Sequence, residues 1–242
     1  MLELKHVGFE AEDNKEILHD VSLSIDERFV AITGPNGGGK STLAKVVAGI
    51  YTPTSGQILF DGEDITHLSI TERARRGVSY AFQQPVRFKG LTVRDLLNLA
   101  GGAAMSVADA CDVLSEVGLC ARDYLDREIN ASLSGGELKR IEIAMALMRG
   151  AKLSIFDEPE AGIDLWSFKN LIRVFEKMYA ETHGCILIIS HQERILNIAD
   201  KIIVIKNGSV DKIGARDEIL PGLLNTAGTC SALTDKMEGG RA

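Results

Sequence analysis

Residues 29–42 read FVAITGPNGGGKST. A short apolar run opens directly into a glycine-rich turn, and LAKVVAGIY (43–51) continues it with helical periodicity, so the reading is strand, loop, helix. Gly34, Gly39, Lys40 and Ser41 fit the spacing G-x-x-x-x-G-K-[ST] in the setting that this pattern requires. The stretch Gly34, Pro35, Asn36, Gly37, Gly38, Gly39, Lys40, Ser41 and Thr42 is therefore the expected phosphate grip of an α/β nucleotide-binding fold. Glycines let the backbone wrap close to the phosphates with N–H groups pointing inward. Lys40 reaches the terminal phosphates, and the Ser41 hydroxyl can ligate magnesium.

Upstream, Leu2, Leu4 and Val7 alternate with polar residues, and after a polar turn ILHDVSLSI follows, which predicts antiparallel strands. QILFDG (57–62) is a further strand. From about residue 91 to 148 the periodicity turns helical, in LTVRDLLNLA, VADACDVLSEVGL and LKRIEIAMALMRG, as expected of an insert between two α/β halves. The α/β pattern returns with KLSIFDEP, a helix over LWSFKNLIRVFEKMY, CILIISH and a terminal hairpin KIIVIKNGSV. The expected division is an α/β core at 1–83 and 149–221, a helical subdomain at 84–148, and a polar tail at 222–242, all in one domain. Trp166 reads as a core residue, because Leu165, Phe168, Ile172, Phe175 and Tyr179 recur at helical spacing.

A formal net charge of -7 over 242 residues offers no basic field for nucleic acid or an anionic membrane surface. No apolar run approaches the length needed to span a bilayer, and the opening residues do not read as a leader, so direct membrane insertion is not expected and a cytoplasmic location is. Cys111, Cys120, Cys185 and Cys230 form no metal-binding or disulfide spacing and read as reduced thiols; Cys230, in a small-residue tail, is the candidate exception as a metal or cluster contact.

Two further stretches carry chemistry. Ile155-Phe156-Asp157-Glu158 ends a buried strand with two carboxylates: after a phosphate loop, Asp157 is placed to hold magnesium and Glu158 to polarise the attacking water. LSGGE (133–137) opens the helix LKRIEIAMALMRG, and a serine with two glycines at a helix N-terminus makes a second anion site. His191 follows a buried strand, whereas His6, His19, His67 and His183 read as surface or structural residues.

Together these stretches resemble the ABC-type ATPases over nearly the whole chain, to about residue 215. The resemblance implies a P-loop fold of that type, a RecA-like core with an N-terminal antiparallel β subdomain and an inserted helical subdomain. It implies an enzyme that binds ATP and Mg2+ and hydrolyses ATP. LSGGE is similar to the family's signature motif, so Ser134, Gly135, Gly136 and Glu137 would contact the ATP held by another protomer, in an ATP-dependent homodimer. Gln83 in SYAFQQP resembles the Q-loop glutamine that senses γ-phosphate and metal, which makes Ser41, Gln83 and Asp157 the implied metal ligands. AGID places Asp164 in the D-loop, and His191 resembles the switch histidine that acts with Glu158 and Gln83 in catalysis.

Finer placement rests on smaller signals. Ala11 stands where transport members usually carry an aromatic ring for adenine. Glu137, Lys139 and Arg140 (GGExKR) and the RIL run after His191 resemble the ATPase subunit of the SUF iron–sulfur cluster assembly system (SufC-like). DEPEAGIDLWSF departs from that subunit's usual pattern. The expected partner is therefore a soluble SufB/SufD-like scaffold, the alternative being the membrane subunits of an ABC transporter. In either case contacts are expected around PVRFKGLTVRDLL. An ATP-gated clamp that binds without turnover is disfavoured by Glu158.

Overall fold

The structure, a computed structural model, describes residues 1–130, 132–181 and 184–224, and for residues 165–167 the backbone alone. The chain begins with strands β1 (Leu2–Glu10), β2 (Glu16–Ile25) and β3 (Phe29–Thr33), helix α1 (Lys40–Ala48), strands β4 (Ser55–Phe60) and β5 (Glu63–Asp64), helix α2 (Ile70–Arg75) and strand β6 (Val78–Ala81). Helices α3 (Val93–Gly101), α4 (Val107–Glu116), α5 (Ala121–Tyr124) and α6 (Gly135–Arg149) follow. The chain returns through β7 (Leu153–Asp157), α7 (Leu165–Glu181), β8 (Cys185–Ile189), α8 (Glu193–Leu196), β9 (Lys201–Lys206) and β10 (Ser209–Ala215), with residues 216–224 helical beyond it.

Two sheets result. One is antiparallel in the order β2-β1-β4-β5; the other runs β10-β9-β3-β8-β7-β6 and is parallel except for β10, which pairs antiparallel with β9. Every residue of β3, β7 and β8 is buried, as strands covered on both faces must be. Side chains alternate across the strand, so each such strand feeds two cores. Val30, Ile32, Ile155 and Leu187 join the antiparallel sheet and α1 in one cluster. Phe29, Ala31, Phe156, Ile186 and Ile188 face the other way and pack with the helices that follow β6.

The strand order decides where the chemistry lies. β3 sits between β8 and β9, with β7 beyond β8 and β6 at the edge, so the carboxyl ends of β3, β8, β7 and β6 open onto one rim. Helix α1 is fixed beneath that rim by Arg73 of α2, which is 1% exposed. Its guanidinium donates to the carbonyls of Val46 and Val47 at 2.7 and 2.8 Å, in the last turn of α1, and to those of Thr66 and Leu68 at 2.9 and 3.1 Å. Periodicity does not single out this residue.

Two sequence expectations shift. The buried face of α7 is Phe168, Leu171, Val174, Phe175 and Met178, with Ile172 and Tyr179 only partly buried, because the helix lies in a groove between α6 and the sheet wider than a single stripe. The side chains of Leu165 and Trp166 lie outside the described residues, as do His183 and Cys230. At the C-terminal end the helix runs to residue 224, past the expected start of the polar tail, and Ile219 and Leu223 lean on the core. Of the cysteines, Cys111 is half-buried, Cys120 exposed and Cys185 buried, where loss of solvent pushes its thiol up to about 12.

Candidate functional site: a phosphate loop ringed by strand ends

The phosphate loop leaves β3 in a conformation that needs glycine. Gly34 has φ 133°, and a Cβ there would meet the Ile205 carbonyl oxygen at 2.0 Å. Gly39, with φ 101°, begins α1 and leads the chain directly into Lys40 and Ser41. Lys40 curls over the loop and donates to the carbonyls of Gly34 and Pro35 at 2.8 and 2.9 Å, so its ammonium is held at the centre of the turn. Burial lowers its pKa, and the opposing pull comes from Glu158 and Asp157.

Ser41 donates to Asp157 Oδ1 at 2.9 Å, and the Tyr80 hydroxyl donates to Asp157 Oδ2 at 2.8 Å. Asp157 is 1% exposed, so both of its oxygens are aimed by neighbours. Burial, and then the Asp157 charge, push the Tyr80 phenol above its ordinary value, so it stays a donor. Glu158 is the next residue and adopts φ 46°, a left-handed conformation that costs a non-glycine residue roughly 1–3 kcal/mol. That turn brings its carboxylate to Gln83, whose Nε2 donates to Oε2 at 2.5 Å, and to His191, whose Nε2 lies 4.0 Å from Oε1. Burial, then the Lys40 charge, lower the His191 pKa against the pull of Glu158.

The structure thus brings together Lys40, Ser41, Gln83, Asp157, Glu158 and His191, from three strand ends and the start of α1. Oxygen donors on Ser41, Asp157 and Gln83 suit a hard divalent cation such as Mg2+. No cluster of three or more His, Cys, Asp or Glu that could hold a metal occurs among the described residues. The cleft above the loop measures about 630 Å³ and is lined by Asn36 to Thr42, Gln83 and Glu158.

Ser134, Gly135, Gly136 and Glu137 are not brought into that cleft. They form the exposed start of α6: Ser134 is the N-cap, accepting from Glu137 N–H at 3.2 Å, while the Glu137 carboxylate takes the Ser134 N–H at 2.7 Å. Glu137 also accepts from the Tyr124 hydroxyl. Its carboxylate is therefore hydrogen-bonded within its own chain. Asp164 is exposed, one turn before Phe168, whose N–H donates to the Asp164 carbonyl at 2.9 Å.

Several site residues escape sequence reading. Lys15, Glu16, Ile17, His19, Asn207 and Gly208 line the same cleft, because the β9–β10 turn docks on both the loop and β2. Gly208 N–H donates to the Gly38 carbonyl, and His19 N–H to the Gly208 carbonyl, each at 2.9 Å. The asparagine–glycine turn was visible as a turn, but not where it would dock. Glu160 accepts from the Ser190 hydroxyl at 2.5 Å, one residue before His191, while burial raises its pKa and leaves Oε2 without a hydrogen-bond partner. The aromatic ring of β1 is turned away: Phe9 stacks on Tyr51 at 5.0 Å, and Ala11 offers no ring.

The ABC transporter family profile matches residues 18–161. An uncharacterized ABC transporter ATP-binding protein of Methanocaldococcus jannaschii is 41% identical over 227 residues, covering 90% of each chain. The sulfate/thiosulfate import ATP-binding protein CysA of a Synechocystis species is 33% identical over 208 residues; 84% of this chain matches, and it spans 57% of that protein's length. Among solved structures, the ATP-binding cassette MJ0796, in a dimeric post-hydrolysis state bound to ADP and Pi, is similar with a TM-score of 0.78 at 26% identity, covering 89% of this chain and 99% of that one.

Proposed function

The chain belongs to the ABC transporter family and is an ATPase, and from that premise we propose that it is the ATP-hydrolysing subunit of a membrane transporter. The observation that carries a two-chain cycle is the turn Ser134–Gly136, with Ser134 and Gly135 exposed, a capped helix N-terminus with anion-binding geometry that stands outside its own chain's nucleotide cleft. It is used when a second copy brings its phosphate loop opposite, so that two ATP molecules lie between two chains.

In this reading the loop N–H groups and Lys40 hold the phosphates, and Ser41, Asp157 and Gln83 would hold Mg2+. The ion supplies charge neutralisation on the phosphate oxygens. Glu158, preset by its strained backbone, orients water towards the γ-phosphorus and accepts its proton as the bond to ADP breaks. His191, whose pKa burial lowers, stands beside Glu158 on the γ-phosphate side. Tyr80 keeps Asp157 aimed.

Exposed apolar side chains at the rim of the helices support partner docking there. Val86, Phe88 and Leu99 are 45%, 40% and 70% exposed around an apolar hollow of about 260 Å³, which Phe82 and Pro85 join to Gln83. Together with transport names among the relatives, this favours membrane subunits as the partner. The second reading, an ATPase for a soluble SufB/SufD-like scaffold, rests on Ala11 and on Glu137, Lys139 and Arg140. It draws no support from the relatives. Glu137 caps α6, Lys139 is buried, and Arg140 donates to the Gly118 carbonyl at 3.1 Å, so all three have work inside the chain.

Two experiments test these readings. Glu158→Gln should bind ATP normally, lose about 100-fold or more in turnover, and accumulate an ATP-bound dimer; turnover at the parent rate removes Glu158 from its role. Mild affinity purification from native cells should recover integral membrane subunits that need detergent. Recovery of a soluble scaffold without detergent would select the assembly reading instead.

A further inference from the structure

Strand β6 ends at Ala81, the last residue paired to β7. Beyond it, both backbone polar groups of Phe82 are taken by side chains of α6. Its N–H donates to Glu142 Oε1 at 2.8 Å, its carbonyl accepts from Lys139 Nζ, and Lys139 pairs with Glu142 Oε2 at 3.1 Å. Lys139 is 0% exposed, among the largest fully buried side chains of the protein. Gln83 follows Phe82 directly and holds Glu158. Four residues before Lys139, about 6 Å along the helix axis, Gly135 begins α6 at the exposed turn.

Stability alone does not account for this pair. Removing an ammonium from water is costly, and apolar side chains of equal volume generally replace a buried ion pair without loss. The rest of the inner face of α6, Leu138, Ile141, Ile143 and Ala144, is already apolar and buried. What the pair does, and apolar residues would not, is grip the backbone of the residue before Gln83 from both sides.

We propose that Lys139 and Glu142 are positioning residues for Gln83: they form a clamp by which α6, when its N-terminal turn engages a nucleotide on a second copy of the chain, fixes the position of Gln83 beside Glu158 in its own cleft. Closure on one nucleotide is thereby transmitted to the other cleft through a single rigid helix. The inference rests on the reading of Gln83 and Glu158 as parts of the ATP site.

The test uses the full chain with Lys139→Met and Glu142→Leu together, a change that leaves net charge and volume nearly unaltered. The expected result is a melting temperature lowered by no more than about 10 °C, from the two backbone hydrogen bonds lost at Phe82, a KM for ATP within about twofold, and a kcat lowered about tenfold at a temperature where the chain is fully folded. In a Glu158→Gln background the same pair of changes should still give the ATP-bound dimer, since the exposed turn is untouched. Replacing Glu142→Leu by Glu142→Gln in the Lys139→Met chain restores an acceptor for Phe82 N–H and should recover about threefold or more of the lost kcat. A kcat within about twofold of the parent, an absent rescue, or a fall in melting temperature that accounts for the lost activity overturns the proposal. Gln83→Ala is the control: if it turns over at the parent rate, the site reading has failed, whereas low activity there with normal clamp variants overturns the clamp alone.

Discussion

Glu158 and His191 show what single side chains contribute. Glu158 is held in a left-handed conformation by the hydrogen bond from its N–H to the Ile189 carbonyl at 3.0 Å, so the sheet itself holds the strain at a position that lines the cleft. His191 is pushed towards the neutral form chiefly by burial and then by Lys40. Its folded-state pKa lies below the unfolded value, so the native protein binds this proton less readily than the unfolded chain. Above the ordinary imidazole value, about 6.5, the group leaves stability unchanged; below it, falling pH removes stability. Turnover should accordingly hold from neutral pH down past that value and fail only further into acid, and His191→Ala should flatten that acid limb. A pH–rate profile with its midpoint above the ordinary imidazole value would contradict the assignment.

At the scale of elements, α1 and α6 are both governed by their ends. Helix α1 carries the phosphate loop at its start, and its last turn is held by Arg73, whose charged form burial disfavours, bringing its pKa down to about 10. Arg73→Met leaves the carbonyls of Val46, Val47 and Thr66 without that donor. The expected cost is about 3 kcal/mol in urea unfolding, with ATP affinity falling because the loop rides on the helix. An unfolding midpoint like the parent's would show that water replaces the guanidinium. Helix α6 has a complete capping box at Ser134 and Glu137, which Ser134→Ala would weaken by about 1 kcal/mol. Turnover should drop far more than that stability loss explains if, as proposed, the same serine faces the second copy's nucleotide; a proportionate drop would confine it to capping.

At the scale of the whole molecule, a cleft and a separate anion-binding turn on one chain predict concentration dependence. Specific ATPase activity should fall on dilution below the dimer's dissociation constant and recover when the inactive Glu158→Gln chain is added; activity per chain that is constant over a thousandfold dilution would mean that one chain suffices. Much of this arrangement is readable from residues alone. The loop from Gly34 to Thr42, the carboxylates Asp157 and Glu158, the serine–glycine turn at Ser134 and the alternation of the first strands are local patterns, set by neighbours along the chain and by the two periodicities of backbone geometry. Tertiary structure alone decided that the ends of β3, β6, β7 and β8 share one rim, that Asn207 and Gly208 close the cleft beside His19, that Tyr80 aims Asp157, and that Lys139 grips Phe82 rather than solvent. The physical reason is that these contacts join residues far apart in sequence, and they form only after strand order and helix packing bring them together; a periodic pattern reports which face of an element is buried, but not which neighbour buries it.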